Sequence, residues 1–256
     1  MTSRLSDPLF DMKLWDLSKS DLIDSLSKNS FDRVSKILCT PNLSFFYKMR
    51  QSEELRSIIC SFDYIIADSR FIQLVNWVAG RPSILVLPGS DLVPEVFKVA
   101  NEKQHRIGII GGSIDADFAK LFIKREYPNL ELSYFNSDEI DINDVSMMDE
   151  MSRDIKKIEP QIIFVGLGFP KQEHLSAILK SRGCTTIFMN VGMGIDYFFG
   201  VRARAPKIMR FFMLEWLYRF ASEPKRLARR YFLECVPELL RAIWASVNWR
   251  RNKCGQ

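Results

Sequence analysis

Gln161-Ile162-Ile163-Phe164-Val165 runs straight into Gly166-Leu167-Gly168-Phe169-Pro170-Lys171-Gln172-Glu173. Four consecutive apolar residues without alternation fit a strand covered on both faces. The glycines and proline end that strand, and from Gln172 to Arg182 the pattern turns helical. The same unit recurs. Strands are expected at Val34–Cys39, Tyr64–Ala67, Ser83–Val86, Arg106–Ile110, Leu130–Phe135, Gln161–Val165 and Thr186–Asn190. Helices are expected at Phe45–Ser61, Leu92–Lys103, Asp115–Glu126, Asp149–Ile158 and Gln172–Arg182. This alternation predicts an α/β fold, a mostly parallel sheet with helices on both faces.

Outside that pattern the chain changes character. Residues 1–33 are polar and read as one amphipathic segment plus loops, 34–200 as the core, and 201–256 as a basic appendage of two or three amphipathic helices broken at Pro224 and Pro237. Residues 200–256 hold 13 Lys/Arg against 4 Asp/Glu, leaving 23 against 27 in the rest of the 256 residues. A basic appendage on a slightly acidic body fits an anionic partner: phosphates, anionic lipid headgroups or nucleic acid. Aromatic residues (Phe211, Phe212, Trp216, Tyr218, Phe220, Tyr231) are interleaved with its arginines, which suits a lipid interface. No nucleic-acid motif accompanies them.

Composition excludes several classes. At 47% hydrophobic and 26% charged the chain is globular. No apolar run reaches the roughly 18 residues of a spanning helix, and the first residues do not read as a secretory signal. Five scattered cysteines without a CxxC fit reduced thiols in the cytoplasm, and two histidines are too few for a histidine metal site.

In open α/β sheets ligands bind beyond the carboxyl ends of the strands. Those positions carry Thr40-Pro41-Asn42, Asp68-Ser69, Gly89-Ser90-Asp91, Gly111-Gly112-Ser113, Gly166-x-Gly168 and Gly192-x-Gly194-x-Asp196. The glycines serve tight turns equally well. Asp68 ends an apolar strand, where desolvation raises a carboxyl toward the range of a general base, but it could equally cap the next helix. Asp115-Ala116-Asp117 has the spacing of a metal-holding DxD pair, yet it opens a helix, where acidic residues suit the dipole; the second reading is preferred. Strict dinucleotide, Walker, nucleophile-elbow and zinc signatures are absent from the sequence.

Taken together these motifs resemble the WecG/TagA/CpsF glycosyltransferases, glycosyltransferase family 26. The resemblance spans about Val34 to Tyr231. It is carried by Thr40-Pro41-Asn42, Asp68, Gly89-Ser90-Asp91-Leu92, Gly111-Gly112, Tyr127-Pro128, the stretch Gly166 to Glu173, Val191-Gly192 with Asp196, and Arg204-Ala205-Pro206. Its most specific part is Leu214-Glu215-Trp216-Leu217-x-Arg219 followed by Glu223-Pro224-x-Arg226-x-x-Arg229-Arg230-Tyr231. It implies a Rossmann-like core and inverting transfer of a hexose-type sugar (N-acetylmannosamine, its uronic acid or glucose class). The sugar would pass from a UDP-sugar to a polyprenyl-diphosphate-linked saccharide, in surface-polysaccharide synthesis such as teichoic acid, capsule or exopolysaccharide.

The resemblance further implies no metal cofactor, a peripheral place on the inner face of the cytoplasmic membrane, and room for a homo-oligomer. By position Asp68 matches the base, Thr40 and Asn42 positioners, and Gln172 a residue near the sugar. Gly111, Gly112, Gly166, Gly168 and Asp196 match nucleotide contacts. Arg204, Arg219, Arg226, Arg229 and Arg230 match the appendage that meets diphosphate, acceptor and membrane. Two departures stand out: Ser69 where the family usually has glycine after the aspartate, and Val86 where it often has arginine. A nucleotide-binding oxidoreductase fits the βα pattern alone. A non-catalytic membrane-surface or nucleic-acid binder fits the basic appendage alone.

Overall fold

The computed structural model describes all residues except 1–3, 8–11, 16–17, 82, 137–138, 207, 210–213 and 255–256. Six strands form one sheet: β3 (Lys36–Cys39), β4 (Tyr64–Ile65), β5 (Arg106–Gly111), β6 (Glu131–Asn136), β7 (Ile162–Gly166) and β8 (Ile187–Asn190). Their order is β4-β3-β8-β7-β5-β6, and every pairing is parallel. All carboxyl ends therefore lie along one edge, which is where the site assembles.

Alternate residues of the strands feed two cores. Ile37, Cys39, Ile65, Ile163, Val165 and Phe188 pack on one face with α2 (Leu43–Gln51), α3 (Glu53–Cys60), α4 (Arg70–Val78), α7 (Val145–Ile158) and α8 (Lys171–Ser181). Leu38, Tyr64, Ile107, Ile109, Ile162, Phe164, Ile187 and Met189 pack on the other with α1 (Lys19–Phe31), α5 (Gly89–Glu102), α6 (Ala116–Glu126) and α9 (Gly194–Phe198). Fully burying each such side chain contributes roughly 1.5–3 kcal/mol. Apolar side chains on both faces are why these strands read as continuous apolar runs.

Several expectations need correction. Ser83–Val86 is not a ladder strand; Val86 makes a single parallel bridge to Ala67 at the sheet's outer margin. Residues 1–33 hold, besides α1, an antiparallel hairpin of β1 (Arg4–Asp7) and β2 (Met12–Trp15). Leu14 of that hairpin is buried in the core. The expected helix Phe45–Ser61 is two helices. Ser52 sits in extended geometry between them, and its hydroxyl accepts the Leu55 N–H at 3.2 Å. Helix α4 was not expected; its Phe, Ile and Val content blurs the helical signal.

The C-terminal segment forms α10 (Glu215–Ser222), α11 (Pro224–Arg229), a π-helical turn (Arg230–Cys235) and α12 (Val236–Cys254). Pro224 starts α11, as expected. Pro237 does not break the chain into separate helices. It sits in the first turn of α12, directly after the π turn, where the Val236 N–H bonds the Tyr231 carbonyl and the chain stays helical. Phe211 and Phe212 lie outside the described residues.

Candidate active site

Thr40 follows β3 and is buried. A β-carbon on Gly89 would come 3.2 Å from its hydroxyl, so only glycine lets the start of α5 approach this closely. Asn42 caps α2, its Oδ1 accepting the Ser44 N–H at 3.1 Å. The same oxygen accepts from Arg230 at 3.3 Å, tying the core to the C-terminal segment.

Asp68 is freed from capping by its neighbour. Ser69 caps α4, accepting the Phe71 N–H at 3.2 Å, so the departure at this position has a structural role. The half-buried Asp68 carboxylate instead accepts the Gly89 N–H at 3.2 Å. Its pKa is raised to about 6: burial pushes it up most, while Arg219, the Gly89 N–H and Arg230 pull it down and Glu215 adds a small rise. It is thus ionised at neutral pH and close enough to neutrality to take a proton.

At the other end of the crevice, Asp196 is buried on α9. Its Oδ1 accepts the Ser113 N–H at 2.7 Å, just after Gly111-Gly112, and Arg202 lies 3.5 Å from its Oδ2. Both glycines have φ near +80°, the left-handed region, and the Gly112 N–H donates to the Gly166 carbonyl at 3.2 Å. The Gly168 carbonyl accepts the Gln172 N–H at 3.1 Å, opening α8. Asp115, half of the possible metal pair, caps α6 by accepting the Asp117 and Phe118 N–H groups.

Gln172 and Glu173 are both buried at the start of α8. Gln172 Nε2 donates to Glu173 Oε1 at 2.8 Å, while Gln172 Oε1 and Glu173 Oε2 have no partner. Burial raises the Glu173 pKa to about 8, opposed by the Gln172 amide.

The C-terminal segment covers the Asp68 end. Arg219 bonds Glu215 one turn earlier and lies over the Tyr197 ring, 5.4 Å from its centre. Ser44, Lys48, Phe169, Arg229, Arg230 and Glu234 line a cavity of about 230 Å³. Within it Ser44 donates to Glu234 and Lys48 lies over the Phe169 ring. Three cations against one carboxylate leave this cavity electropositive.

Most of the expected residues therefore lie along one carboxyl edge. Arg204 does not join the Asp68 end: it pairs with Asp91 at 2.7 Å on α5. The Arg226 side chain lies outside the described residues. Val86, where the family often has arginine, spends its backbone on the bridge to Ala67. Sequence reading missed Glu173, Tyr197, Glu215 and Lys48 as members of this neighbourhood. Glu173 and Glu215 pair with near neighbours in the chain, but Tyr197 and Lys48 meet Arg219 and Phe169 across the fold, where only the alternating α/β order foreshadows a meeting.

A parallel α/β sheet with a desolvated carboxylate facing arginines along its carboxyl edge is an arrangement suited to group transfer. The chain belongs to the WecG/TagA/CpsF family of glycosyl transferases, whose family model matches residues 8–252. It is 30% identical over 181 residues to the N-acetylglucosaminyldiphosphoundecaprenol N-acetyl-beta-D-mannosaminyltransferases of Staphylococcus aureus strains MW2 and NCTC 8325 / PS 47. That alignment covers 70% of this chain and 68% of each relative. The enzyme of the same description from strain MRSA252 is 28% identical over the same length.

Proposed function

We propose that this glycosyltransferase moves an N-acetylmannosaminyl-type sugar from a UDP-sugar to a polyprenyl-diphosphate-linked saccharide, without a metal, at the inner membrane surface. The observation that carries the reading is Asp68: a carboxylate with a pKa of about 6, held by the Gly89 N–H and facing Arg219 and Arg230. The activity of the staphylococcal N-acetylmannosaminyltransferases supports the acceptor and sugar class.

In this reading the acceptor hydroxyl oxygen attacks the anomeric carbon from the face opposite the leaving group. Its proton passes to Asp68 Oδ as the new C–O bond forms. The bond from the anomeric carbon to the β-phosphate oxygen breaks, and UDP leaves with that electron pair, so configuration inverts. Arg219, Arg229 and Arg230 supply the positive charge that stabilises the leaving diphosphate. Asn42 holds Arg230, and Thr40 packs the start of α5 under Asp68. The Asp196–Ser113 contact shapes the Gly111-Gly112 turn for the nucleotide.

The test is transfer from UDP-N-acetylmannosamine to an N-acetylglucosaminyl-diphosphate polyprenol, with and without EDTA, for wild type and Asp68→Asn. Wild type should be active and indifferent to EDTA. Asp68→Asn should still bind UDP and lose roughly 10²–10⁴ in rate. Full activity of Asp68→Asn sinks the base assignment; loss of wild-type activity in EDTA sinks the metal-free mechanism.

A further inference from the structure

Gln172 has two ends, and only one is engaged. Its Nε2 is taken by Glu173 Oε1 at 2.8 Å. Its Oε1 has no partner and lies beside Gly192, 3.7 Å from where a β-carbon on that residue would stand. Gln172 is 4% exposed and Glu173 0%. A buried amide without a second interaction would be free to turn over; this one is fixed by its neighbour.

We infer that Glu173 is a positioning residue, locking the Gln172 amide so that its carbonyl oxygen faces the Gly192 side of the crevice. The inference rests on the proposed function and on the expectation, implied by the resemblance, that Gln172 lies near the transferred sugar. It also defines the group that Gln172 meets. A carbonyl oxygen accepts hydrogen bonds and offers none, so it suits a sugar hydroxyl or an acylamino N–H. A carboxylate in that place would face a lone pair with no proton between them. An N-acetylhexosamine or a plain hexose fits here; a uronate turned toward Gln172 does not.

Glu173 performs this role as a neutral acid whose Oε1 accepts the Gln172 N–H and whose proton sits on Oε2, away from the amide. Its second oxygen has no donor, and its titratable neighbour across the core is the Cys39 thiol on β3, itself raised well above its usual value by burial and by Glu173, with Cys60 of α3 beyond it. Among the described residues, what opposes burial at Glu173 is the Gln172 amide and its own backbone N–H, not a cation. Ionisation above about pH 8 places an uncompensated charge in the core, which draws in water or shifts the start of α8. Either displaces Gln172.

The experiment is a pH profile of transfer for wild type, Glu173→Gln and Glu173→Ala, with kcat and KM separated. Wild-type kcat should fall as pH rises through about 8. Glu173→Gln copies the neutral acid's shape and acceptor; it should keep kcat within a few-fold and lose that alkaline fall. Glu173→Ala should lose about 10- to 100-fold in kcat with little change in KM for UDP-sugar, the cost of a misplaced group. An unchanged kcat in a folded Glu173→Ala overturns the inference. So does an alkaline fall that persists in Glu173→Gln, which decides the matter alone if the alanine variant does not fold. A wild type inactive with every UDP-sugar sinks the proposed function, and this inference with it; an active wild type beside an unaffected Glu173→Ala sinks the inference alone.

Discussion

Asp68 and Glu173 are both carboxyls raised by burial, to about 6 and about 8, but their surroundings differ. Asp68 faces Arg219, Arg230 and a backbone N–H; Glu173 has only the Gln172 amide and its own backbone. Asp68 can therefore lose and regain a proton near neutrality, while Glu173 stays neutral there. The direction of the Asp68 shift gives a paired expectation. As a base it works when ionised, so transfer should rise as pH increases through about 6. Its folded pKa lies above the unfolded value, so the unfolded chain gives up the proton first. Stability is then lost between about pH 4 and 6, a cost on the order of 3 kcal/mol at neutral pH. Asp68→Asn should lose roughly 10²–10⁴ in transfer rate yet raise the melting temperature above pH 6. A variant no more stable than wild type would place the carboxylate in a better-solvated setting. Asp68 was legible because it ends an apolar strand. That Ser69, not Asp68, would cap α4 was not legible, since α4 itself was hidden in β-branched and aromatic residues.

At the scale of elements, the sheet was readable because strands covered on both faces are written as uninterrupted apolar runs. Ser83–Val86 carries the same signature but stands at the margin, where one bridge satisfies it. The hairpin of β1 and β2 was missed because its strands are four residues each and mixed in polarity. The appendage's helices were foreseen but not their faces. On α12, Val236, Leu240, Trp244 and Val247 are exposed and fall within about 80° of the helix surface at 100° per residue. No helix among the described residues is long and apolar enough to cross a membrane. An apolar stripe beside basic residues suits lying in a lipid interface. Leu240→Glu/Trp244→Glu should weaken co-sedimentation with anionic vesicles at least about tenfold and leave UDP affinity unchanged. Equal vesicle binding by the double variant would detach the stripe from the membrane role.

Across the whole molecule, the opposite face of α12 seals the core. Ala242 and Ser246 are fully buried, and the Ser246 hydroxyl reaches the Val75 carbonyl of α4 at 3.3 Å. Glu238, also buried, accepts from Arg50 of α2 at 2.6 Å and from Arg241 at 2.9 Å. Burial and then the like charge of Arg241 lower Arg50 to about 10, and the Glu238 carboxylate lies between the two arginines. Charge counting along the sequence separates a basic appendage from an acidic body. Packing joins them, through small and apolar positions on α12 and through pairs such as Arg50–Glu238 and Asn42–Arg230, whose meeting net charge does not register. Glu238→Ala should therefore leave Arg50 and Arg241 facing one another and cost about 1–3 kcal/mol in chemical denaturation. Cutting the chain after Gly200 goes further. It removes Leu239, Ala242 and Ile243 from the core face that α2 and α4 share, and it uncovers apolar side chains that were buried. The fragment should unfold at lower denaturant than the full chain and bind an apolar dye. A fragment as stable as the parent would mean that α12 clamps the crevice in place without supporting the sheet beneath it.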